Sequence, residues 1–364
     1  MKFKRCMTAI YSSALVLGLS FLLYPQSSPA SVSDPAPTAA PVTSVPVNTP
    51  TAEPILQPTP TSEPVITEKP KDTLPSGLLD NMLYEPFFGI PELVTDYMNA
   101  YYSNDIDALS TLVTDATLLD TAAMEKASEN VTKVEDITLY ANPGIENVFS
   151  IVYATYSLYY KDLQISVPQF SEYYVAQLPD GTYLIQTEPL SEKAEEAFLQ
   201  ARQTEVVQKL AISSLIRRYH NACLIVNESL LRQCVTNANY LNLPFITSRY
   251  SVTESFTDYD FLLYPGINEF EYIVFVTHRE KIVFSSTPAP CMEYYYIDLD
   301  ESGIPSIYLG ITSLDTDAYC AAVIQSEEIQ ELAKQVNSNM QTAILADDDL
   351  RDFYQLLVTN SSEE

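Results

Sequence analysis

The stretch Leu93-Val94-Thr95-Asp96-Tyr97-Met98-Asn99-Ala100 returns 122 residues later as Leu215-Ile216-Arg217-Arg218-Tyr219-His220-Asn221-Ala222. At the same ungapped shift Leu109 falls on Leu231, Val113-Thr114 on Val235-Thr236, and Pro143-Gly144-Ile145 on Pro265-Gly266-Ile267. Ile151-Val152 falls on Ile273-Val274, Pro168 on Pro290, Tyr173-Tyr174 on Tyr295-Tyr296, and Gly181 and Ile185 on Gly303 and Ile307. A further run, Glu205, Gln208, Leu210 and Ala211, matches Glu327, Gln330, Leu332 and Ala333. A period this long describes two complete domains, because solenoid repeats are only about 20 to 50 residues. The repeat sets the first domain at residues 76–203 and the second at 204–325.

Within each unit the helical pattern comes first. Leu93, Tyr97 and Ala100 keep a spacing of i, i+4, i+7, and Leu109, Leu112 and Val113 resume it after Asn104-Asp105, which suits an N-cap. Beyond that hairpin, Val134–Tyr140, Glu146–Tyr160, Phe170–Leu178 and Thr182–Thr187 are rich in Tyr, Val, Ile and Phe and are punctuated by Pro-Gly, Pro and Asp-Gly. Helices followed by a meander of four strands predict an α+β layer, with the helices packed on one face of a curved antiparallel sheet. Ser326 to Val358 is helical again, and Val358-Thr359 echoes Val113-Thr114 and Val235-Thr236 at a shift of 123 from the second pair. Residues 326–364 therefore read as the helical hairpin of a partial third repeat. Its stripe of Ile329, Leu332, Val336 and Met340 predicts packing against the second domain rather than a free tail.

The order of elements, the unit length, and Asp96-Tyr97-Met98-Asn99-Ala100 with Asn104-Asp105 and Leu109 after it resemble the NTF2-like superfamily of cone-shaped α+β domains. The likeness is to its tandem, exported versions in Gram-positive bacteria, and it covers about residues 83 to 325. It implies two tandem NTF2-like domains. Because that fold carries isomerases, dehydratases, transport factors and assembly modules, the resemblance implies architecture rather than activity.

The residues before the repeat speak of location. Lys2, Lys4 and Arg5 precede an apolar run from Cys6 to Tyr24, which predicts that the chain beyond the run lies outside the cytoplasm. Residues 1–30 are thus a signal peptide, cleaved after Ala30, or a retained membrane anchor; the length of the run favours the anchor. From Pro25 to Pro75 the chain holds 13 of its 24 prolines among Ser, Thr, Ala and Val. Such a composition cannot bury a core, so residues 31–75 read as a disordered stalk, reaching about 140 Å when extended at ~3.1 Å per residue.

Charge and composition exclude several function classes. With 19 Lys and Arg against 48 Asp and Glu, a net charge of −29, nucleic acid and anionic lipid surfaces are poor partners. All the excess lies beyond residue 75, since 1–75 hold five basic and five acidic residues. Two His, no Trp and five Cys leave little material for a zinc, haem or iron–sulfur site, and no metal or cofactor is expected. Asp298, Asp300, Ser302 and Gly303 begin a calcium-loop pattern, but its twelfth position would be Leu309 and the matching Leu178-Pro179-Asp180-Gly181 is a hairpin turn. The run Asp347-Asp348-Asp349 reads as a helix N-terminus or a solvated turn rather than a metal site. Cys223, Cys234 and Cys320 align with Tyr101, Leu112 and Phe198 and read as core; Cys291 aligns with Gln169, which points to solvent or to a bridge with Cys320.

No nucleophile motif is present. His220 stands where the first unit has Met98 and His278 where it has Tyr156, and both substitutions suit packing positions. An acid–base cone would need a buried carboxylate facing a Tyr, and the aligned pair Asp136 and Asp258 is the candidate, although it equally suits a turn entering a strand. Most of the 26 tyrosines alternate with Val and Ile along strands and read as sheet faces. No catalytic or metal-binding residue is assigned and the ligand-binding residues stay open. The expectation is a non-enzymatic, membrane-tethered module presenting two domains to a protein or small ligand at the cell surface. The alternative is a small-molecule binder or isomerase/dehydratase-like enzyme using one cone. A buried Asp or Glu within reach of a Tyr would favour the second reading, and an apolar, plugged cone the first.

Overall fold

A computed structural model of the chain describes residues 89–143, 149–163 and 165–361. The expected leader or anchor at 1–30 and the stalk at 31–75 lie outside the described residues. Within them no helix is long and apolar enough to cross a membrane.

The first unit begins with α1 (Ile90–Ser103), α2 (Ile106–Ser110) and α3 (Thr121–Asn130), and continues with β1 (Val131–Pro143), β2 (Phe149–Tyr160), β3 (Ser166–Gln177), β4 (Tyr183–Ile185) and α4 (Glu192–Arg202). The second repeats the order with α5 (Glu205–Leu224), α6 (Glu228–Cys234), α7 (Leu243–Tyr250), β5 (Thr253–Pro265), β6 (Glu271–Ile282), β7 (Ala289–Leu299), β8 (Pro305–Ile307) and α8 (Leu314–Ile324). Two further helices, α9 (Glu327–Ala346) and α10 (Asp348–Ser361), close the described chain. The sheets run β1-β2-β3-β4 and β5-β6-β7-β8, both fully antiparallel, so the α+β architecture with two meanders is as the patterning predicts.

Local chemistry repeats with the fold. Asp105 caps α2 by accepting from the Ala108 amide at 2.9 Å, and Asn227 caps α6 by accepting from the Leu230 amide at 3.0 Å. Asp120 and Asn242 cap α3 and α7 in the same way. The twin Val-Thr pairs seat the helical layer on the sheet: Val113 and Val235 each bridge the short last strand, and the Thr114 and Thr236 amides donate to the Ile185 and Ile307 carbonyls. Asp136 and Asp258 occupy identical bulges, at φ 55° and 53°, where the register of β1 on β2 and of β5 on β6 slips. Asp258 is exposed and pairs with Arg279 at 3.1 Å, and Asp136 is likewise exposed at the matching bulge. The turn reading of this pair holds; as a buried carboxylate facing the cone it fails, because the bulge turns the side chain away from the core.

Helix α5 belongs to both units. Val207 and Leu210 pack with Ile151, Tyr153 and Tyr174 of the first sheet, while Ile212, Leu215, Ile216 and Tyr219 enter the core of the second. Asn221 Nδ2 donates to the Ser166 carbonyl at 2.7 Å, at the start of β3. Arg202 ties the units further, bonding Glu172 at 2.7 Å and the Ser302 carbonyl at 2.6 Å.

Helix α9 repeats the docking half of α5. Ile329, Leu332, Ala333 and Val336 pack with Ile273, Phe275 and Met292, and Gln330 Nε2 bonds the Ile324 carbonyl at 2.9 Å as Gln208 Nε2 bonds that of Arg202 at 2.8 Å. The hairpin is therefore docked. Asp347 opens α10 by accepting from the Leu350 amide at 3.0 Å, the helix N-terminus expected of the acidic run. Its second oxygen accepts from the Ser285 hydroxyl, from the Ser286 amide and hydroxyl, and from the Thr287 amide, all between 2.7 and 3.0 Å.

The acidic run near Gly303 is the hairpin turn expected of it. Asp300 Oδ1 accepts from the Ser302 and Ile304 amides, both at 2.9 Å, and Gly303 stands at φ 78°, matching Gly181 at 90°. Cys223, Cys234, Cys291 and Cys320 are all free thiols, and the placement of Cys291 needs correcting: it is buried. Its counterpart Gln169 meets Arg218 of α5 at 3.5 Å, whereas α9 carries Met340 at the place of Arg218, and that side chain joins Cys291, Ile282 and Ala289 in an apolar cluster with Leu350 and Phe353.

Candidate functional site

Strand alternation aims the polar residues of β6 and β7 inward. His278 and Glu280 lie on the face of β6 that carries Val274 and Val276, and Cys291, Glu293 and Tyr295 on the face of β7 that carries Ile297 and Leu299. Helix α5 lowers His220 onto them, and β5 adds Phe256 and Tyr259. His220, His278, Glu280 and Glu293 are each under 5% exposed.

His220 organises the first half of this cluster. Its Nδ1 lies 2.8 Å from the Tyr259 hydroxyl, and its Nε2 lies 3.0 Å from Glu293 Oε2 and 2.6 Å from the Tyr295 hydroxyl. The Tyr295 hydroxyl donates to Glu293 Oε2 at 2.5 Å. One proton arrangement satisfies all four groups: Tyr259 donates to Nδ1, the Nε2 proton goes to Glu293, and Glu293 is ionised. Burial pushes the Glu293 carboxyl upward, but the polar field and hydrogen bond of His220, with the Arg249 cation behind them, outweigh it and hold it well below the usual carboxylate range.

The second half is an ion pair. Arg249 of α7 holds both oxygens of Glu280 at 2.7 Å, and the Thr253 hydroxyl adds a bond of 2.5 Å. Burial raises the Glu280 carboxyl, and the Arg249 guanidinium more than reverses it. The Cys291 thiol sits 3.7 Å from Glu280 Oε2 and is pushed upward by burial.

Between the halves stands His278, its ring 5.2 Å from that of His220 and from Phe256. Burial pushes its pKa down to about 4, so it is neutral at physiological pH. Neither ring nitrogen has a hydrogen-bond partner, and neither does Glu293 Oε1. Unmet polar atoms in an interior cost about 1–3 kcal/mol each, and three of them lie together here.

The first unit supplies the comparison. Met98 stands for His220, Tyr156 for His278, Leu158 for Glu280, Ser171 for Glu293, Ala127 for Arg249 and Val131 for Thr253. What remains polar there is a chain of hydroxyls, Tyr102 to Tyr156 at 3.1 Å and Tyr156 to Ser171 at 2.9 Å, within an apolar core. The two histidines are therefore not ordinary packing substitutions, since they arrive together with two buried carboxylates. Glu280 and Glu293 escape a reading of the sequence because a Glu in a strand suggests the solvent face. The signal that finds them is period two, which sets 278 and 280 in step with Val274 and Val276.

No protein-family profile matches the chain, and no curated protein matches it in sequence. Among solved structures, an NTF2-like protein involved in plasmid conjugation aligns with 59% of this chain and 92% of its own, at 9% identity and a TM-score of 0.23. That likeness is compatible with an α+β fold of two antiparallel sheets and carries no functional argument.

Proposed function

We propose that the chain is an extracytoplasmic, membrane-tethered protein whose folded region is a pair of NTF2-like domains, the first a structural half and the second a receptor for a small polar ligand. The observation that carries this reading is the set of unmet polar atoms on His278 and Glu293, at positions where the first unit has Tyr156 and Ser171. A ligand able to donate to Glu293 Oε1 and bond to His278 would meet them, while Tyr259 and Phe256 supply ring faces. The test is native mass spectrometry of the chain purified from its own host, beside a variant carrying the first-unit residues H220M, H278Y and E293S. A bound small molecule in the parent and none in a folded variant supports the reading; equal retention by both overturns it. Protease accessibility of residues 76–364 on intact cells tests the location.

A second reading rests on the chain Tyr259–His220–Glu293, a hydroxyl backed by an imidazole backed by a carboxylate. That order suits proton transfer at the Tyr259 oxygen, as an isomerase or dehydratase would require. Loss of turnover in Y259F with ligand binding kept would support it.

A further inference from the structure

We propose that His220, His278 and Glu293 form a binding site for one divalent transition-metal ion of the zinc type, inside the second domain. One ligand atom from each residue lies within 4.8 Å of the other two, and all three side chains are buried. Zinc bonds of about 2.0–2.2 Å to nitrogen and oxygen place tetrahedral ligand atoms roughly 3.3 Å apart. The His220 Nε2 to Glu293 Oε2 edge, at 3.0 Å, is already close to that length. From a separation of at most 4.8 Å, His278 needs to close by about 1.5 Å at most.

The partners of these three residues fit the role. His278 has two free nitrogens, so ligation breaks no bond on that side; at Glu293 the ion takes the place of the His220 hydrogen bond on Oε2 and leaves Oε1 open for a second bond. His220 holds Tyr259 at its far nitrogen, the arrangement that fixes the tautomer and ring orientation of a metal-ligating imidazole. On binding, the single ring proton of His220 shifts from Nε2 to Nδ1 and is donated to the Tyr259 oxygen, whose own hydroxyl proton turns away from the ring. The Tyr295 hydroxyl, 2.6 Å from Nε2, borders the fourth position. Two imidazole nitrogens and one carboxylate favour zinc, cobalt or iron over calcium and magnesium, which want oxygen throughout.

A second trio, His278, Glu280 and Cys291, also lies within 4.8 Å. It is the weaker candidate because both Glu280 oxygens are held by Arg249 and the buried thiol resists losing its proton. The first unit has Met98, Tyr156 and Ser171 at the three ligand positions, so each chain should take a single ion.

The ion site goes beyond small-ligand binding and is tested separately. The full chain, stripped with dipicolinate, is titrated with Zn2+ by calorimetry and with Co2+ by visible absorption. One equivalent of zinc, a rise in melting temperature, and the d–d bands of a low-coordinate cobalt site are expected. H278Y and E293Q, the latter nearly isosteric, should abolish the bound equivalent, and Y259F should weaken it about 10-fold, as loss of an outer-shell partner does. Melting of each variant in chelator establishes that it is folded. Zinc uptake that survives both ligand substitutions would belong to surface carboxylates and would overturn the site, as would no uptake at all. A bound small molecule without zinc would remove the ion and leave the receptor reading intact.

Discussion

Ile329 on α9 is the residue whose loss best tests whether the terminal hairpin is part of the second domain. It is fully buried among Ile273, Phe275, Met292, Val323 and Ala333, so truncation to Ala removes most of a side chain from a site with no access to water. Large-to-small changes of this kind cost about 2–5 kcal/mol, the spread reflecting how far the surroundings collapse. Here α9 is held at both ends, by the Gln330 bond to the Ile324 carbonyl and by Asp347 on the 285–287 turn, and cannot slide inward freely. The middle of that range, about 3 kcal/mol, is the expected cost. For a unit of this size 1 kcal/mol moves the midpoint by about 4 °C, so I329A should lower the transition of the second domain by about 12 °C in calorimetry of the full chain. Leu345, on the same helix and 81% exposed, is the control. L345A should move the transition by less than about 2 °C. Equal effects of the two substitutions, or none from I329A, would refute a docked hairpin.

Four further outcomes are expected. R249M leaves Glu280 buried without its cation and should cost about 3–5 kcal/mol by urea titration, with the double variant R249M/E280L recovering most of it. G266A sets a Cβ against that of Glu271 and 2.8 Å from its carbonyl carbon, so the β5–β6 turn must open, at about 1–3 kcal/mol by the same measurement. Val226 holds φ 50° where the first unit has Asn104 at 57°, and V226N should stabilise the second domain by about 1 kcal/mol, because a β-branched residue is costly in the left-handed region. The Leu350 amide and the Ser286 hydroxyl hold Asp347 well below the usual carboxylate range, so its contribution is complete above the ordinary pKa of about 3.9 and fades as pH falls below it; the melting difference between the parent and D347N should be constant from about pH 5 to 8 and shrink on acidification.

The repeat, the helix-first order, the four-strand meanders and the cap at Asp105 are legible in the chain because each depends on neighbours in sequence. The polar interior of the second domain is not. His220, His278 and Glu293 come from one helix and two strands, and only the register of β6 on β7, with His278 opposite Cys291 and Val276 opposite Glu293, brings them to one place. Cys291 illustrates the same limit, since Gln169 suggests solvent and the covering side chain, Met340, belongs to a helix beyond the unit. At Asp136 and Asp258 a propensity for turns is visible in the residue type, but the bulge that aims both carboxylates away from the core is a property of strand pairing.

Helix α9 differs from α5 on the side away from its docking residues. In α5 the side opposite the docking residues carries Ile212, Leu215, Ile216 and Tyr219 into the second core; the same positions of α9 are Lys334, Asn337, Ser338 and Gln341. Three of these four are exposed, so this side of α9 carries no apolar stripe. The docking half of the helix is kept and the core-forming half is polar. On the second sheet, α9 covers the outer face with Ile329 and Leu332, and α10 reaches the far end of the inner face with Leu350 and Phe353. The buried ionisable groups of His220, His278, Glu280 and Glu293 thus lie in the unit enclosed by helices from both sides, where an interior that sacrifices apolar packing can still fold.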